Sequence, residues 1–596
     1  MGKIKLSDFV AKYLKEKYAV NTVFMVSGGG AMHLNNSFGK YLRYIANHHE
    51  QGSAFAAEGY ARVNQQLAVV NVTTGPGGLN CLSGVFGQWT DSVPVLYISG
   101  QVKYETMMDS CKDLNLRQLG DQEADIISVV RPLTKYAVTV YDPNKIKSEI
   151  DRAVYEATTG RFGPVWLNIP MNVQSVLIEE DELEGFTSVF DNKSCNFHTE
   201  EIIEHLKTSK RPLIVAGHGI RLSGAEKEFA EFIEKYKIPV VTSFNGADVL
   251  PTGHPLYVGR IGTIGQRAGN FALQNADLLL ELGTRNNIRQ VSYNWENFGK
   301  NAFKIVVDID EAELQKPLVK PDLAVRADVK EFLNALNSET EKSNFQPSPK
   351  GDGTIWLDYC QNIKEKYSFK NTKEYGQTGD EINPYYVVRR VTEKLKSDDI
   401  IVSANATPSI CLFQAGEFKG QRLIMNSGCA SMGYGLPCAL GASLHGKRTI
   451  CFEGDGSIMM NLQELETVAF NKLPVKIFLL NNSGYSSIRQ TQKNFFNGQM
   501  TGSGEDSGVG MPDFSKLAEG FRIKFVKIEK ADEIDGRIEE VLKDDEPVLC
   551  EIVTQKDYIF TPKLSSRTLE DGTIVSPTLE DMFPFLEREE FEGNMF

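Results

Sequence analysis

A carboxylate and an amide stand where two consecutive strands should end. Asp455 lies in Gly454-Asp455-Gly456-Ser457, and Asn482 completes the pair Asn481-Asn482. Both side chains offer hard oxygen, the donor type suited to Mg²⁺, which takes its other ligands from water and a substrate or cofactor phosphate. The glycines let the backbone approach an anion, and a helix start beyond them favours negative charge. A Gly-Asp-Gly alone is an ordinary turn signal; the asparagines at the next strand end make it a candidate site. A second set lies far upstream. Glu50 opens a run dominated by small residues from Gly52 to Ala61, as in a helix packed tightly on another backbone. Read blandly, it is a helix-start carboxylate near the dipole. Thr73-Thr74-Gly75-Pro76-Gly77-Gly78-Leu79-Asn80 is too glycine-rich for a core strand, and Gly29-Gly30 lies near the end of the first strand. Backbone N–H groups there are expected to face a reacting carbon, unless the pair is a plain strand-to-helix turn.

Holding such groups takes alternating strands and helices. Residues 448–453 read as a strand, 461–472 as an amphipathic helix and 475–480 as a buried strand. The two strands of that unit should be parallel, so Asp455 and Asn482 emerge side by side at their carboxyl ends, where open α/β sheets bind ligands. The same alternation runs almost throughout and predicts an α/β fold of doubly wound parallel sheets covered by helices. A chain of 596 residues is too long for one core. Residues 1–175 form a first unit and 195–340 a second, with an acidic stretch at 179–184 and a polar run to Ser194 between them. A polar segment at 338–354 precedes a third unit, 381–557, which opens with a helix at 385–390 and is followed by a charged tail, 558–596.

Hydrophobic content of 41% and charged content of 24% are ordinary for a globular protein. A net charge of −14 argues against nucleic acid or an anionic membrane as main partner. No apolar run reaches membrane-spanning length and the start lacks a signal-peptide core, so a cytoplasmic location is expected. The nine cysteines are scattered without a Cys-x-x-Cys and read as buried thiols in a reducing compartment.

The segment around Asp455 resembles the thiamine diphosphate motif. Together with Glu50, the Thr73–Asn80 loop and Asp91-Ser92-Val93-Pro94, residues 1–560 resemble acetohydroxyacid (acetolactate) synthases. The resemblance implies pyrimidine-binding, central and diphosphate-binding domains. It implies a thiamine diphosphate- and Mg²⁺-dependent carboligase that decarboxylates a 2-oxo acid, pyruvate first among them, and adds the acyl carbanion to a second carbonyl. Asp455, Asn482 and the Gly484 carbonyl would be the metal ligands, with Gly454, Gly456, Ser457, Thr407, Tyr485 and Ser486 around the cofactor. Met432 would bend the cofactor, Pro76 and Asn80 would be among the residues that bind it, and Glu50 would hydrogen-bond its pyrimidine nitrogen. Gln122 and Gly30 would shape the reacting centre. Glu50 and Asp455 reach one cofactor from different subunits in this family, which implies a homodimer or homotetramer. Arg285, the segment 259–265 and Asp308-Ile309-Asp310 match positions that hold FAD, so a flavin without a redox role is a further implied cofactor.

Four positions depart from the family pattern. Asp121 precedes Gln122 in place of Phe, Met171 replaces a Lys, Thr407-Pro408 replaces Gln-His, and Thr491 replaces the Trp that selects the second 2-oxo acid. A remodelled, more open and polar acceptor pocket is expected. The tail from Pro562 to Glu587 resembles those of thiamine diphosphate enzymes in bacterial surface-sugar pathways, which points to a keto-sugar nucleotide acceptor. It reads equally as a charged arm lying across a neighbouring subunit. The Gly/Ser-rich stretch 501–510 is a candidate lid or a plain surface loop. A simple decarboxylase releasing an aldehyde, a flavin-using oxidase and a cofactor-binding protein without turnover remain open alternatives.

Overall fold

Apolar, β-branched runs bounded by glycine and proline form three six-stranded sheets, all of whose neighbours pair in parallel. The central strands are buried along all or nearly all of their length, which explains why they read as continuous apolar runs. The computed structural model describes residues 2–188, 196–342, 353–377, 379–568, 571 and 574–596. The polar run expected up to Ser194 and most of the 338–354 segment lie outside these residues.

Across the first sheet the strands run Arg43–Ala46, Thr22–Met25, Ala68–Val72, Val95–Gln101, Val165–Pro170, Tyr136–Thr139. Numbered along the chain, that is 2-1-3-4-6-5. The third sheet runs Arg422–Met425, Ile400–Ser403, Thr449–Gly454, Val475–Asn481, Val548–Val553, Lys524–Ile528, the same order. The middle sheet differs: Tyr257–Arg260, Val240–Thr242, Pro212–Ala216, Leu278–Leu282, Phe303–Asp308, Leu323–Arg326, or 3-2-1-4-5-6. In each, the order reverses beside the first strand, and a ligand crevice opens at that point. The loops flanking the three reversals begin at Val26 and Thr73, at Gly217 and Gly283, and at Ala404 and Asp455. Nearly all the expected site residues lie in or near them.

The first and third units meet through two helices built from small residues. Glu50–Asn64 lies on Gly435–Ser443 so closely that a Cβ at Gly441 would sit 1.8 Å from the Ala56 carbonyl oxygen, and one at Gly59 2.0 Å from that of Cys438. A buried charge group seals the junction. Arg62 meets Glu58 at 3.1 Å, Asp91 at 3.7 Å and the Met425 carbonyl at 2.9 Å. Burial pushes the Glu58 carboxyl up to about 7 in spite of Arg62. The middle unit is tied to the third by Arg260, which donates to the carbonyls of Phe413 and Gly416, both at 2.7 Å, and by the Asp248–Arg422 pair at 2.7 Å.

One expected helix is shortened, and two segments make contacts that the sequence did not assign. The helix expected at 461–472 is Glu464–Phe470, because the Asn461 amide donates to the Gly433 carbonyl and to Gln51 instead of entering a helix. A helix beyond the expected end of the central unit, Gly353–Lys366, joins it through the Trp356 indole, 2.9 Å from the Pro212 carbonyl. The tail crosses the central unit of its own chain. Asn270 donates to the Leu579 carbonyl, Arg267 to that of Met582 and Asn275 to that of Asn594.

The helix contact carries a direct test. Gly441→Ala forces a methyl into the Ala56 carbonyl and is expected to cost ~1–3 kcal/mol, read as a thermal midpoint several degrees lower. Gly536→Ala, on an open face of helix Ile534–Val541, should leave the midpoint unchanged or raise it slightly.

Candidate active site

Parallel pairing of Gly454 with Leu480 brings Asp455 beside the loop that leaves Asn481. Its carboxylate is 2% exposed and accepts three backbone N–H groups: Gly456 at 2.7 Å, Asn482 at 3.0 Å and Gly484 at 2.9 Å. Burial raises its pKa, while those three donors oppose the shift. The Asn482 side chain gives its Nδ2 to the Thr407 hydroxyl at 3.2 Å. Its Oδ1 is buried and has no hydrogen-bond partner among the described residues. An unpaired buried amide oxygen carries a desolvation cost that a cation would remove. Gly484 holds φ +120, and a Cβ there would lie 2.6 Å from the Ser503 carbonyl oxygen, so this turn needs glycine. The oxygens of Asp455 and Asn482 thus suit a hard divalent ion with a phosphate partner. No cluster of three or more His, Cys, Asp or Glu that could hold a metal occurs among the described residues.

The surrounding residues divide between the crevice and its support. Tyr485 lays its ring over Gly456, Ser486 is buried at the start of helix Ser486–Phe495, and Gly454 faces Pro408. Met432 is half-buried on a turn held from both sides. Asn405 donates to the Ser431 carbonyl at 2.6 Å, and the Gly433 N–H donates to the Ser457 hydroxyl at 3.0 Å. Ser457, expected at the cofactor, thus also supports the Met432 turn. Ala406, just before Thr407, holds φ 59 and ψ −125, a conformation natural to glycine.

The second set gathers in the first unit. Glu50 is 9% exposed and accepts from the Asn80 amide at 2.9 Å through Oε2, which leaves Oε1 without a partner among the described residues. Asn80 and Pro76 are exposed, on the loop opened by Gly75. Gln122 is exposed with φ 61, and its carbonyl abuts Gly75. Its loop is fixed by Glu123, which accepts from the N–H groups of Met108, Leu119 and Gly120 at 2.6, 3.1 and 3.0 Å. Gly30 corrects an expectation. Its N–H donates to the Thr73 hydroxyl at 3.0 Å and is not turned toward a ligand, whereas Gly29 is exposed with open space around it.

No hydrogen bond among the described residues links the Glu50 set to the Asp455 set. Their supports do touch. Glu464 accepts from the Asn47 amide at 2.8 Å and the His48 N–H at 3.0 Å, clamping the chain just ahead of Glu50. Sequence reading passed over Glu464, whose one signal is its place on the helix after Ser457.

A crevice of about 120 Å³, open to solvent, lies at the reversal of the middle sheet. Arg285 and Asp308 line it, and the Arg285 guanidinium reaches the Thr90 carbonyl of the first unit at 3.1 Å. Burial pushes Asp308 up to about 6. His218, also in the wall, is buried with both ring nitrogens unpartnered; burial, then Arg422 and Arg62, push its pKa down, so the ring is neutral. Of the other segments expected here, 259–265 does not line the crevice, because Arg260 turns to the third unit. Asp310 instead pairs with Arg161 at 2.9 Å.

Comparison with known proteins accounts for all three units. Residues 4–126 match the thiamine pyrophosphate enzyme N-terminal TPP-binding domain, 199–336 the central domain and 409–552 the C-terminal TPP-binding domain. The acetolactate synthase large subunit of Lactococcus lactis is 32% identical over 588 residues, covering 96% of this chain and 98% of its own length. The chain belongs to the thiamine pyrophosphate enzymes. Acetolactate synthase 1 of Zea mays is similar at 32% over 580 residues, 94% of this chain and 87% of its own. The large subunit from Corynebacterium glutamicum is similar at 30% over 563 residues, 92% and 87%. In this thiamine pyrophosphate enzyme the two TPP-binding matches fall on the two sheets of identical strand order. The Glu50 and Asp455 sets are divided between them.

The strained backbone beside Thr407 is testable. Ala406→Gly should relieve ~1 kcal/mol, the strain being partly offset by glycine's unfolded-state entropy, and raise the thermal midpoint by a few degrees. A lowered midpoint would show that Ala406 is unstrained.

Proposed function

We propose that the protein is an acetolactate synthase-like carboligase that uses thiamine diphosphate and Mg²⁺. It would take a 2-oxo acid, pyruvate first, and join its acyl unit to a second carbonyl. The observation that carries this is the unpaired, buried Oδ1 of Asn482 beside the Asp455 carboxylate, at the reversal point of the sheet. Asp455, Asn482 and the Gly484 carbonyl would hold the metal. Thiamine diphosphate, when bound, supplies the carbon nucleophile and the electron sink for loss of CO₂. Glu50 would present Oε1 to the pyrimidine and hold a proton there, with Asn80 fixing its other oxygen. Gln122, on its exposed loop, would orient the acid, and Met432 would support the cofactor's bend.

Glu50 and Asp455 would serve one cofactor from two copies of the chain. Exposed apolar residues near both sets support a homodimer: Leu79, Phe86 and Trp89 in the first unit, Met459 and Met460 in the third. For the central crevice we propose FAD as a structural ligand; the unpartnered His218 nitrogens and the Arg285 guanidinium suit a polar, anionic group. Thr491 lies exposed one turn beyond Ile488 on the helix that leaves the metal loop. That opening favours an acceptor bulkier than a second 2-oxo acid, with a keto-sugar nucleotide as the first choice. No helix among the described residues is long and apolar enough to cross a membrane. The free cysteines suit the cytoplasm proposed here.

Glu50→Gln should lower CO₂ release from pyruvate by ~10²-fold or more while thiamine diphosphate affinity, followed by fluorescence quenching, stays near wild type. Asn482→Ala should raise the Mg²⁺ concentration needed for half-saturation by ~10-fold or more. An unimpaired Glu50→Gln enzyme would refute the assigned role. CO₂ release that ignores added carbonyl acceptors would favour the simple decarboxylase, and acceptor-free oxygen uptake the oxidase.

A further inference from the structure

Helix Ser486–Phe495 is mostly exposed, yet Arg489 is 5% exposed. A buried arginine needs partners for its five donors, and here they are backbone carbonyls. Nη2 donates to Asn482 at 2.8 Å and to Lys556 at 2.5 Å; Nη1 donates to Ser483 and Ser503, each at 3.1 Å. Nε meets the Asp557 carboxylate at 3.4 Å. One guanidinium thus joins the loop of Asn482 and Gly484, the base of the Gly/Ser-rich loop and the last residues of the third unit before the tail. The first two are stitched further by a Gly484–Gly504 bridge and by the Tyr485 N–H on the Ser503 carbonyl at 2.9 Å. The stretch read from sequence as a lid or plain loop is therefore anchored at its root to the metal loop.

A second residue of the same helix holds the Gly/Ser-rich loop alone. Gln492 accepts from the Ser503 hydroxyl at 2.8 Å and donates to the Thr501 carbonyl at 2.8 Å, and its side chain makes no hydrogen bond to residues 481–484 among the described residues. The two anchors can therefore be told apart.

We propose that Arg489 is a positioning residue that couples the Asp455–Asn482 site to residues 501–508, so that filling the site tightens the loop through this anchor and losing the Arg489 fork weakens the site. The proposal rests on the metal reading given above. Its physical basis is the planar fork, which satisfies two loops at once. Lysine's single point charge cannot do so.

The test is hydrogen exchange of the full-length protein, with and without MgCl₂ plus thiamine diphosphate, in wild type, Arg489→Lys, Arg489→Met and Gln492→Ala. In the wild type, cofactor should slow exchange at 501–508 by ~10-fold, the scale of ordinary coupling between sites. Gln492→Ala should speed loop exchange yet leave Mg²⁺ half-saturation, read by fluorescence, unchanged. Arg489→Lys should speed loop exchange, abolish its response to cofactor and raise Mg²⁺ half-saturation ~10-fold. Should Arg489→Met fail to fold, the lysine and Gln492 variants carry the comparison. If the wild type binds cofactor and Arg489→Lys responds as it does, the coupling is overturned while the proposed function stands. If the wild type binds no cofactor, the functional reading fails. The cofactor-free exchange of Arg489→Lys then decides alone: faster exchange supports the anchor, and wild-type exchange overturns it.

Discussion

The structure depends on where one carboxylate ends up when two strands pair. With Gly454 opposite Leu480, Asp455 projects at the point where the third sheet reverses order, and the next loop closes around it through three N–H donors. A slip of one residue would turn Asp455 to the other face of the sheet and leave those donors without an acceptor. Every other feature of this end follows from the closure. Gly484 must pass close to Ser503, Asn482 is held with its amide nitrogen on Thr407, and its buried oxygen is left without a partner among the described residues. Polar atoms buried in this way are costly in isolation and become useful when a ligand completes them.

The opposite half is organised by different means. Glu50 stands on a helix whose small residues let it lie against the helix Gly435–Ser443 at backbone contact, and Glu464 fixes the chain entering it. The third unit therefore sets the pose of a residue belonging to the first. Asn80 takes one oxygen of Glu50 and leaves the other free, so the carboxylate is oriented before any ligand arrives, which is what preorganisation requires.

Much of this was legible in the residues. Strand runs, their parallel pairing and the emergence of Asp455 beside Asn482 follow from periodicity and turn chemistry, because both act locally. The family resemblance supplied Glu50, which spacing alone could not join to a site hundreds of residues away. What escaped was support of long range. Glu464 and Arg489 look like ordinary helix-surface charges in sequence, and only tertiary packing buries them. Ser457 sits within a motif yet turns to the Met432 turn, and the Gly30 N–H is taken by Thr73, a partner that pattern reading does not see. In the 259–265 segment, Arg260 is likewise drawn away by the carbonyls of another unit. The tail reads as an arm for a neighbouring subunit because nothing local in it shows the asparagines and arginine of the central unit that grip its backbone.

The first and third sheets share one wiring and carry opposite chemistry. At the tip of its third strand, one holds an acid ringed by amides, and the other a threonine-glycine turn beneath an exposed proline. Two like frames need not invent two folding solutions; they can diverge at their tips alone, since reactivity lives in loops grafted onto a common scaffold. New partner molecules for the reaction can accordingly be recruited by editing a few tip residues, with the cores that hold them left untouched.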